Sequence, residues 1–284
     1  MNYRHAFHAG NFADVMKHAF LTRILVHLRL KETAFRVVDT HAGIGRYDLA
    51  AEEAERTLEW RAGIGRLADP LGPELEPLLA PYREVLASIR ARYGETIYPG
   101  SPAIIREMLR PADRAVFVEM HPEDGALLTE RFNTVPNAKV MRMDGWVALR
   151  GLIPPKERRG LVLIDPPFEE AGELQRAAAR LRDAVRRWPT GIFAFWYPIK
   201  DTAEVEQFFT EISEAVARPM LRMELLVDVA DGQRLAGSGL LVVNPPWRLA
   251  EEAGLLLPAF AERLARRDYG AFRCDRLGGS GAAV

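Results

Sequence analysis

The sequence contains a single cysteine, Cys274, in 284 residues. One thiol excludes an intramolecular disulfide framework and a cysteine-rich zinc site, and it is typical of a reducing cytoplasm. No stretch approaches the roughly 18 consecutive apolar residues of a membrane span, and the first five residues (MNYRH) are too polar for the core of a signal peptide. We therefore expect a cytoplasmic protein that does not span a membrane.

An excess of charge of either sign is also absent. The chain has 38 lysines and arginines against 39 aspartates and glutamates, which gives a formal net charge of −1. This balance argues against a surface covered in phosphate contacts. Residues 1–36 differ, because they carry six cationic side chains and four of the six histidines against two acids. Such a segment is a weak signal for nucleic-acid binding, and a solvated helix face explains it equally well.

Hydrophobic runs predict seven β-strands, with helical patterns such as residues 12–30, 170–188 and 202–217 between them. This alternation predicts a doubly wound α/β sheet with right-handed crossovers. Because no convincing helix separates the last two strands, we expect the last strand to run antiparallel, which gives the seven-stranded layout of Rossmann-like methyltransferases. The predicted strands are 35–39, 115–119, 138–143, 161–165, 192–197, 220–229 and 239–243.

One connection is too long for this layout. The first two predicted strands are 75 residues apart, between positions 39 and 115, whereas a crossover needs about a dozen residues or somewhat more. We interpret residues 48–95, which contain four prolines, as a helical insertion of several short helices over the rim of the active site. Residues 1–47 and 96–277 would form the Rossmann-like domain, and the Gly/Ala/Ser-rich tail 278–284 is expected to be disordered.

Residues 165–168 (DPPF) directly follow the apolar run 160–164. These residue types are suited to the methylation of an exocyclic amine on a planar base. The lone pair of such an amine is conjugated with the ring. The Asp165 carboxylate and the Pro166 carbonyl could each accept one N–H, which favours a pyramidal nitrogen. Phe168 offers a stacking face, worth roughly 1–3 kcal/mol per base. A strand that ends in a rigid Pro-Pro turn explains the same residues.

Acids end four of the predicted strands: Asp39, Glu119, Asp144 and Asp165. Ligands of open α/β sheets lie outside the carboxyl ends of the strands, so we expect one acidic crevice there. Glu119 stands where such folds bind ribose hydroxyls, and Asp144 stands where a side chain meets the adenine amine of a cofactor. Each acid taken alone could also be a turn residue or a helix N-cap.

The first strand runs into a glycine loop, residues 39–47 (DTHAGIGRY). Its glycines allow a ligand to approach the backbone closely. The third glycine of most dinucleotide-binding loops is absent, which favours S-adenosylmethionine, a cofactor without phosphate. His41 lies inside the loop and is a candidate for cofactor or substrate contact. We predict no metal site, because His5, His8 and His18 lack cysteines or a matching acid cluster.

A second motif, residues 244–247 (NPPW), has the same pattern as the DPPF motif at residues 165–168. It follows the strand that we expect to be antiparallel, so it should lie at the opposite edge of the sheet and act as a structural turn. Tyr197 and Pro198 follow the fifth strand, where they either line a base pocket or only end the strand.

The chain resembles the RlmJ-type 23S ribosomal RNA (adenine-N6)-methyltransferases. The resemblance is carried by the N-terminal residues 3–18 (YRHAFHAGNFADVMKH), by the glycine loop, by 98–102 (YPGSP), by 163–167 (LIDPP), and by the region 238–247. Together these segments run through most of the chain. One departure is Phe168, where a tyrosine is usual; stacking survives that change but a hydroxyl contact does not.

The resemblance implies a function. It implies S-adenosylmethionine as the cofactor, 23S ribosomal RNA as the partner and adenine N6 as the methyl acceptor. Asp165, Pro166 and Phe168 would be catalytic, and Tyr3 would approach the target base together with Phe168. The implied cofactor-binding residues are Lys17, His18, His41, Ser101, Glu119, Asp144, Gly145 and Asp165.

The predicted protein is thus a monomeric ribosomal RNA methyltransferase that needs no metal. Several alternatives stay open from the sequence. The same DPPF logic serves DNA adenine methyltransferases, and a related motif serves protein-glutamine methyltransferases, whose N-terminal signature differs. A nicotinamide-dependent oxidoreductase is disfavoured by the missing glycine, and a non-catalytic RNA-binding protein leaves the aligned acids unexplained.

Overall fold

A single mixed sheet organises the protein. The computed structural model describes residues 4–169, 172–267 and 269–278. In the order in which they lie side by side, the eight strands of the sheet are β10 (Ala271–Leu277), β8 (Met220–Leu226), β9 (Gly237–Val243), β7 (Ile192–Ile199), β6 (Gly160–Ile164), β1 (Arg36–Asp39), β4 (Arg114–Val118) and β5 (Ala138–Met141). Strands β2 (Arg46–Asp48) and β3 (Ile97–Pro99) form a separate antiparallel ribbon.

The predicted Rossmann-like class is confirmed, and the strand count is corrected from seven to eight. All seven predicted strands are present, and β7, β6, β1, β4 and β5 are parallel. Strand β9 runs antiparallel to both β7 and β8, as predicted. The additional strand is β10, which pairs with β8 at the edge of the sheet. Three of its seven residues are charged and none is fully buried, so the segment lacks the apolar run of an interior strand.

Helices cover both faces of the sheet. The described helices are α1 (Phe12–Arg29), α2 (Glu52–Thr57), α3 (Glu59–Ala62), α4 (Glu76–Tyr93), α5 (Ser101–Met108), α6 (Pro122–Phe132), α7 (Gly145–Leu152), α8 (Glu173–Arg187), α9 (Thr202–Ala215) and α10 (Leu249–Leu264). One core cluster joins α1, α4, α5, α6 and α10 to the sheet, and a second joins α7, α8 and α9 to its other face. Each described helix is too short or too polar to cross a membrane.

Helix α1 is buried on almost every side. Its N-cap is Asn11, whose side-chain oxygen accepts hydrogen bonds from the amides of Ala13 and Asp14, both at 3.0 Å. Val15, Met16, Phe20 and Ile24 are fully buried on it. The helix is buried because it lies between the sheet, α4 and α10.

Residues 48–95 contain the predicted helices in a different arrangement. The short helices α2 and α3 come first, and one long helix, α4, follows them with Pro81 inside it. Tyr82, Val85 and Ile89 of α4 are buried in the same cluster as α1 and α5, so the burial of one apolar face stabilises the helix in spite of the proline. The segment shares its core with the main sheet, and its assignment as a separate subdomain stays a prediction. Of the predicted tail, only Gly278 lies within the described residues.

The NPPW motif lies where the sequence placed it, at the edge where β7 begins. Asn244 follows β9 in a left-handed conformation, with φ of 52°. Its side-chain amide donates to the carbonyls of Pro189 at 3.0 Å and Gly191 at 2.7 Å. The motif is therefore a structural turn that ties β9 to the start of β7.

We predict that Asn244→Ala lowers the free energy of unfolding by about 1–3 kcal/mol, because two partly buried carbonyls lose their donor. The rate of the chemical step should stay unchanged. Urea titration and single-turnover kinetics measure the two effects, and Asn133→Ala, at an exposed position, is the matched control. A folded Asn244→Ala protein without activity would move the active site to this edge.

Candidate active site

A cavity of about 460 Å³ opens at the carboxyl ends of the parallel strands, beside β1 and β6. The chain leaves β1 toward β4 on one side and returns to β6 on the other, so a crevice forms between them. The cavity brings together ten predicted residues: Lys17, His18, His41, Ser101, Glu119, Asp144, Gly145, Asp165, Pro166 and Phe168. Their individual roles stay predictions. Tyr3 lies outside the described residues.

Asp165, just after β6, is held by Lys17 of α1. The Lys17 Nζ lies 2.5 Å from Oδ2 of Asp165 and 2.9 Å from Oδ1 of Asp14. Burial opposes the charge of Lys17, but the two carboxylates outweigh burial and raise the pKa of its ammonium group. Within the described part of the chain, Oδ1 of Asp165 accepts no hydrogen bond. This oxygen is therefore available to a ligand in the cavity.

Asp14 is a member of the site that the sequence analysis did not single out. It is 1% exposed, and its Oδ2 accepts from the Gly10 amide and lies within hydrogen-bond distance of His5 Nε2, both at 2.9 Å. Burial disfavours its charge, but His5 and Lys17 outweigh burial and hold the pKa of Asp14 well below its usual range. The signal was present in the sequence, because Asp14 and Lys17 have the i,i+3 spacing of a helical ion pair.

His18 extends the polar interior behind Lys17. Its Nδ1 lies 2.8 Å from the hydroxyl of Tyr98, which is itself 2.8 Å from the hydroxyl of Tyr82. Burial lowers the pKa of His18 to about 3. The imidazole is therefore neutral at physiological pH, and Lys17 is the cation that faces Asp14 and Asp165.

The side chain of Glu119, which follows β4, binds the backbone of the glycine loop. Its two oxygens accept hydrogen bonds from the backbone amides of Gly43 and His121, both at 2.8 Å. Burial raises the pKa of Glu119, although the two amides oppose this shift. Gly43 and Gly45 have φ values of 59° and 78°, the left-handed region that favours glycine. The loop therefore holds a carboxylate at the position predicted for ribose hydroxyls.

Asp144 and Gly145 form the next part of the wall. Asp144 caps α7, with its Oδ1 accepting the amide of Val147 at 2.8 Å. A Cβ atom at Gly145 would lie 2.1 Å from the carbonyl oxygen of Thr40. A glycine is therefore required for α7 to begin this close to the end of β1.

The predicted crevice of four acids needs one correction. Asp39 is fully buried and does not line the cavity. The hydroxyl of Ser101 donates to its Oδ2 at 2.7 Å, and burial raises the pKa of Asp39 to about 7. Because β1 is an interior strand and the start of α5 covers its end, Asp39 supports Ser101 from below instead of meeting a ligand.

His41 has a defined orientation in the loop. The hydroxyl of Thr40 donates to the carbonyl of Leu163 at 3.1 Å and lies 2.8 Å from Nδ1 of His41. The hydroxyl of Thr40 therefore orients the imidazole ring through its Nδ1 atom. Burial lowers the pKa of His41 to about 4, so the ring is neutral. Trp146 packs edge-on against it, with 6.1 Å between the ring centroids.

An aromatic wall faces Asp165. The ring of Phe168 lies 5.8 Å from that of Trp196 and 6.3 Å from that of Phe195. Trp196 is fixed by a 2.9 Å hydrogen bond from its Nε1 to Ser238. Pro198 lines the cavity, as the first of the two alternatives predicted. Tyr197 is buried and donates to Glu224 at 2.8 Å, so it does not line the cavity. Neither residue ends the strand, because β7 continues to Ile199. The sequence analysis missed Trp196, which the period of β7 places on the same face as Pro198.

The charge of the lining suits a cationic cofactor. Six carboxylate residues line the cavity against three lysines and arginines. The sulfonium of S-adenosylmethionine fits this balance, and the carboxylate of Glu119 beside the glycine loop fits its ribose. Among the residues that the structure describes, no group of three or more His, Cys, Asp or Glu side chains could hold a metal ion.

The parallel sheet, the glycine loop after β1 and the DPPF motif after β6 define a Rossmann-like methyltransferase that depends on S-adenosylmethionine. A sequence model of the family described as "Ribosomal RNA large subunit methyltransferase D, RlmJ" matches residues 32–277. The chain belongs to this family. The nicotinamide-dependent alternative is therefore dropped.

Similar proteins match over nearly the whole chain. Ribosomal RNA large subunit methyltransferase J of Haemophilus influenzae is 38% identical over 277 residues, which cover 97% of this chain and 98% of its own. The protein of the same name from Escherichia coli is 39% identical and covers 93% of this chain and 94% of its own. The crystal structure of a Legionella pneumophila protein is 30% identical and covers 95% of this chain and 98% of its own, with a TM-score of 0.85.

The buried His18 generates a pH-dependent prediction. Its pKa is about 3 in the folded protein and about 6.5 when unfolded, so the unfolded chain binds more protons between these values. The free energy of unfolding should therefore rise with pH in this window. In His18→Gln the slope should be smaller by about 1.4 kcal/mol per pH unit.

Urea titrations between pH 4 and pH 6 measure this slope. Tyr98→Phe is the matched control, because it removes the hydrogen-bond partner of His18 but keeps the titrating ring. This variant should be less stable at every pH with an unchanged slope. Equal slopes in wild type and His18→Gln would show that the folded protein accepts a charged imidazole at this position.

Proposed function

We propose that the protein transfers a methyl group from S-adenosylmethionine to the exocyclic N6 of an adenine in 23S ribosomal RNA. The observation that carries this proposal is the geometry of Asp165, whose Oδ2 is fixed by Lys17 and whose Oδ1 is available in the cavity beside Phe168. The names of the Haemophilus and Escherichia relatives, both large-subunit ribosomal RNA methyltransferases, support the substrate class.

The residues after β6 would prepare the amine for transfer. Oδ1 of Asp165 would accept one N–H of the adenine amine, and the carbonyl of Pro166 would accept the other. The two acceptors draw electron density back onto nitrogen and favour a pyramidal geometry. Phe168, supported by Trp196 and Phe195, would stack on the base. When bound, S-adenosylmethionine would supply the electrophilic methyl group. The bond from the methyl carbon to nitrogen would form as its bond to sulfur breaks, S-adenosylhomocysteine would leave, and the amine would lose one proton on the side of Asp165.

The structure suggests a role for Lys17 other than the cofactor binding that the family resemblance implies. Its ammonium group binds Asp14 and Asp165 and so holds the carboxylate at one orientation. An acceptor that is already oriented needs little reorganisation when charge develops on the amine. Such preorganisation is usually the largest electrostatic contribution of an active site to catalysis. We propose that Lys17 acts on the reaction as a positioning residue for Asp165.

The opposite wall of the cavity would hold the cofactor. Glu119 would accept from the ribose hydroxyls, and Asp144 and Gly145 would face the adenine. The neutral ring of His41, oriented by Thr40, would contact a polar group of the cofactor. Ser101, fixed on Asp39, and His18, fixed on Tyr98, would complete the contacts. A target adenine would have to leave its stack to reach Asp165, at a cost of a few kcal/mol that is smaller for unpaired RNA.

The remaining expectations belong to the same proposal. Catalysis by positioning and hydrogen bonding requires no metal ion. We also propose that the enzyme acts as a monomer in the cytoplasm. The helical segment 48–95 is proposed as an insertion into the catalytic domain.

We predict that Asp165→Asn lowers the single-turnover rate of RNA methylation about a hundredfold or more, because the amide accepts hydrogen bonds more weakly and loses the ion pair with Lys17. The assay uses unmodified 23S ribosomal RNA and labelled S-adenosylmethionine, and a DNA of the same sequence runs in parallel. The wild type should methylate adenine N6 in the RNA alone.

Asp183→Asn is the matched control, since Asp183 is exposed on α8 and pairs with the neighbouring Arg182. This variant should keep the wild-type rate. A wild-type rate in Asp165→Asn would remove Asp165 from the reaction. Methylation of the DNA in preference to the RNA would replace the proposed substrate with the DNA alternative.

Tyr3 tests the role that the family resemblance gives to the N-terminus. It lies outside the described residues, but the following segment is fixed, since Arg4 pairs with Glu123 at 2.8 Å and His5 with Asp14 at 2.9 Å. We predict that Tyr3→Ala loses RNA methylation and still binds S-adenosylmethionine, measured by single-turnover kinetics and calorimetry. Tyr3→Phe, which keeps the ring, should retain most of the rate. Equal rates for Tyr3→Ala and wild type would assign the base contact to other residues.

A further inference from the structure

We propose that a surface outside the catalytic cavity docks a second stretch of the substrate RNA. The surface consists of Arg46, Arg92, Arg106, Arg131 and Tyr93, and is called the arginine–tyrosine patch below. The proposal rests on the proposed function, because it takes RNA as the substrate. It assigns a role to the C-terminal end of the helical segment 48–95, which contributes Arg92 and Tyr93.

The centre of the patch is a stacked pair. The guanidinium carbon of Arg46 lies 3.9 Å from the centroid of the Tyr93 ring, and that of Arg92 lies 5.7 Å from the same centroid. Phe132 supports Arg46 from the side of α6, at 5.8 Å. Tyr93 is 42% exposed, although it is a large aromatic residue at the end of a helix. The structure therefore holds a flat platform of guanidinium and aromatic groups at its surface.

The patch has an excess of positive charge. Glu107 is its one paired carboxylate among the described contacts, with Arg92 at 2.7 Å and Arg106 also bonded to it. Arg131 donates from Nη1 to the backbone carbonyls of Ile44 and Arg46 and brings a further cation without a carboxylate. Four guanidinium groups thus share one carboxylate on a chain whose formal net charge is −1.

Arg46 is the group that most clearly lacks an anion. In the described part of the chain, its guanidinium makes no hydrogen bond and no ion pair, and its contacts are the rings of Tyr93 and Phe132. Burial and the nearby charges of Arg131, Arg106 and Arg92 lower the pKa of Arg46. A cation held among like charges is stabilised when an anion binds, and the guanidinium fork matches a phosphate.

The patch lies beside the cavity without being part of it. Arg46 and Tyr47 are neighbours on β2, so their side chains point to opposite faces of the ribbon that β2 forms with β3. Tyr47 lines the cavity, whereas Arg46 packs on Tyr93. An RNA that places one nucleotide in the cavity continues past this rim, where the patch can bind its backbone and an unpaired base.

The chemistry of the patch favours RNA over an acidic protein segment. Single-stranded RNA presents phosphates and exposed base faces together, and proteins bind it by stacking bases on aromatic rings and guanidinium planes. An acidic peptide offers carboxylates but no planar partner for Tyr93. The exposed ring beside an unpaired guanidinium is the combination that an RNA would occupy.

The test measures the affinity of the full chain, at several salt concentrations, for an unmodified 23S ribosomal RNA fragment that contains the target adenine. Tyr93→Ala should weaken binding roughly fivefold to a hundredfold, as for the loss of one stacked base, with little change in salt dependence. Arg46→Ala should weaken binding and also reduce the slope of log affinity against log salt by about one. In both variants the affinity for S-adenosylmethionine should be unchanged.

Arg150→Ala is the matched control. Arg150 is exposed on α7, a helix that packs on the other face of the sheet from α6. This variant should keep the wild-type affinity and slope. Melting temperatures identify a variant that fails to fold; if Arg46→Ala does, Tyr93→Ala, which changes an exposed side chain, decides the question.

Failure of this inference is distinct from failure of the proposed function. A wild type that methylates the RNA while both patch variants bind it with wild-type affinity would overturn the patch and leave the enzyme in place. Such a result would also be expected if the patch served an acidic protein. A wild type that does not methylate the RNA would overturn the proposed function itself.

Discussion

The site depends on one buried cation between two carboxylates. Lys17 on α1 joins Asp14, which is bonded to the N-terminal segment, to Asp165 at the end of β6. Isolated charges are costly to bury, so each of the three is stable inside because the others are present. The ion pairs therefore fix three parts of the chain against one another: the loop before α1, the helix itself and the strand that ends in the DPPF motif.

The surrounding polar groups do not compete with these ion pairs. Burial leaves His18 and His41 neutral, with pKa values of about 3 and 4, so neither competes with Lys17 for the carboxylates. Backbone amides hold Glu119, and Ser101 holds Asp39. Most polar groups at the site thus have a defined partner and orientation before a ligand arrives. An enzyme that acts by orienting an amine and a methyl donor needs this kind of preorganisation more than it needs a strong acid or base.

The same chain presents two surfaces with different chemistry. The lining of the cavity has more carboxylates than lysines and arginines and includes aromatic rings, which suits a cationic cofactor and a planar base. The arginine–tyrosine patch, on the other face of the β2–β3 ribbon, is cationic and carries an exposed ring. A net charge near zero conceals this separation. Recognition of a polyanion by an almost neutral protein depends on where its arginines lie, because phosphate contacts act over short, screened distances.

The sequence by itself determined the sheet class, the order of seven strands, the two turns that resemble each other and their different positions. Continuous apolar runs and the missing helix before residues 239–243 are local signals, and they predicted the seven strands and the antiparallel direction of β9. The tertiary structure alone decided that Asp39 is buried, that α4 is one long helix across Pro81, and that β10 adds an eighth strand. It also decided that Lys17 meets Asp165, that Trp196 meets Ser238 and that Arg46 meets Tyr93, since contacts between segments far apart in the chain depend on packing.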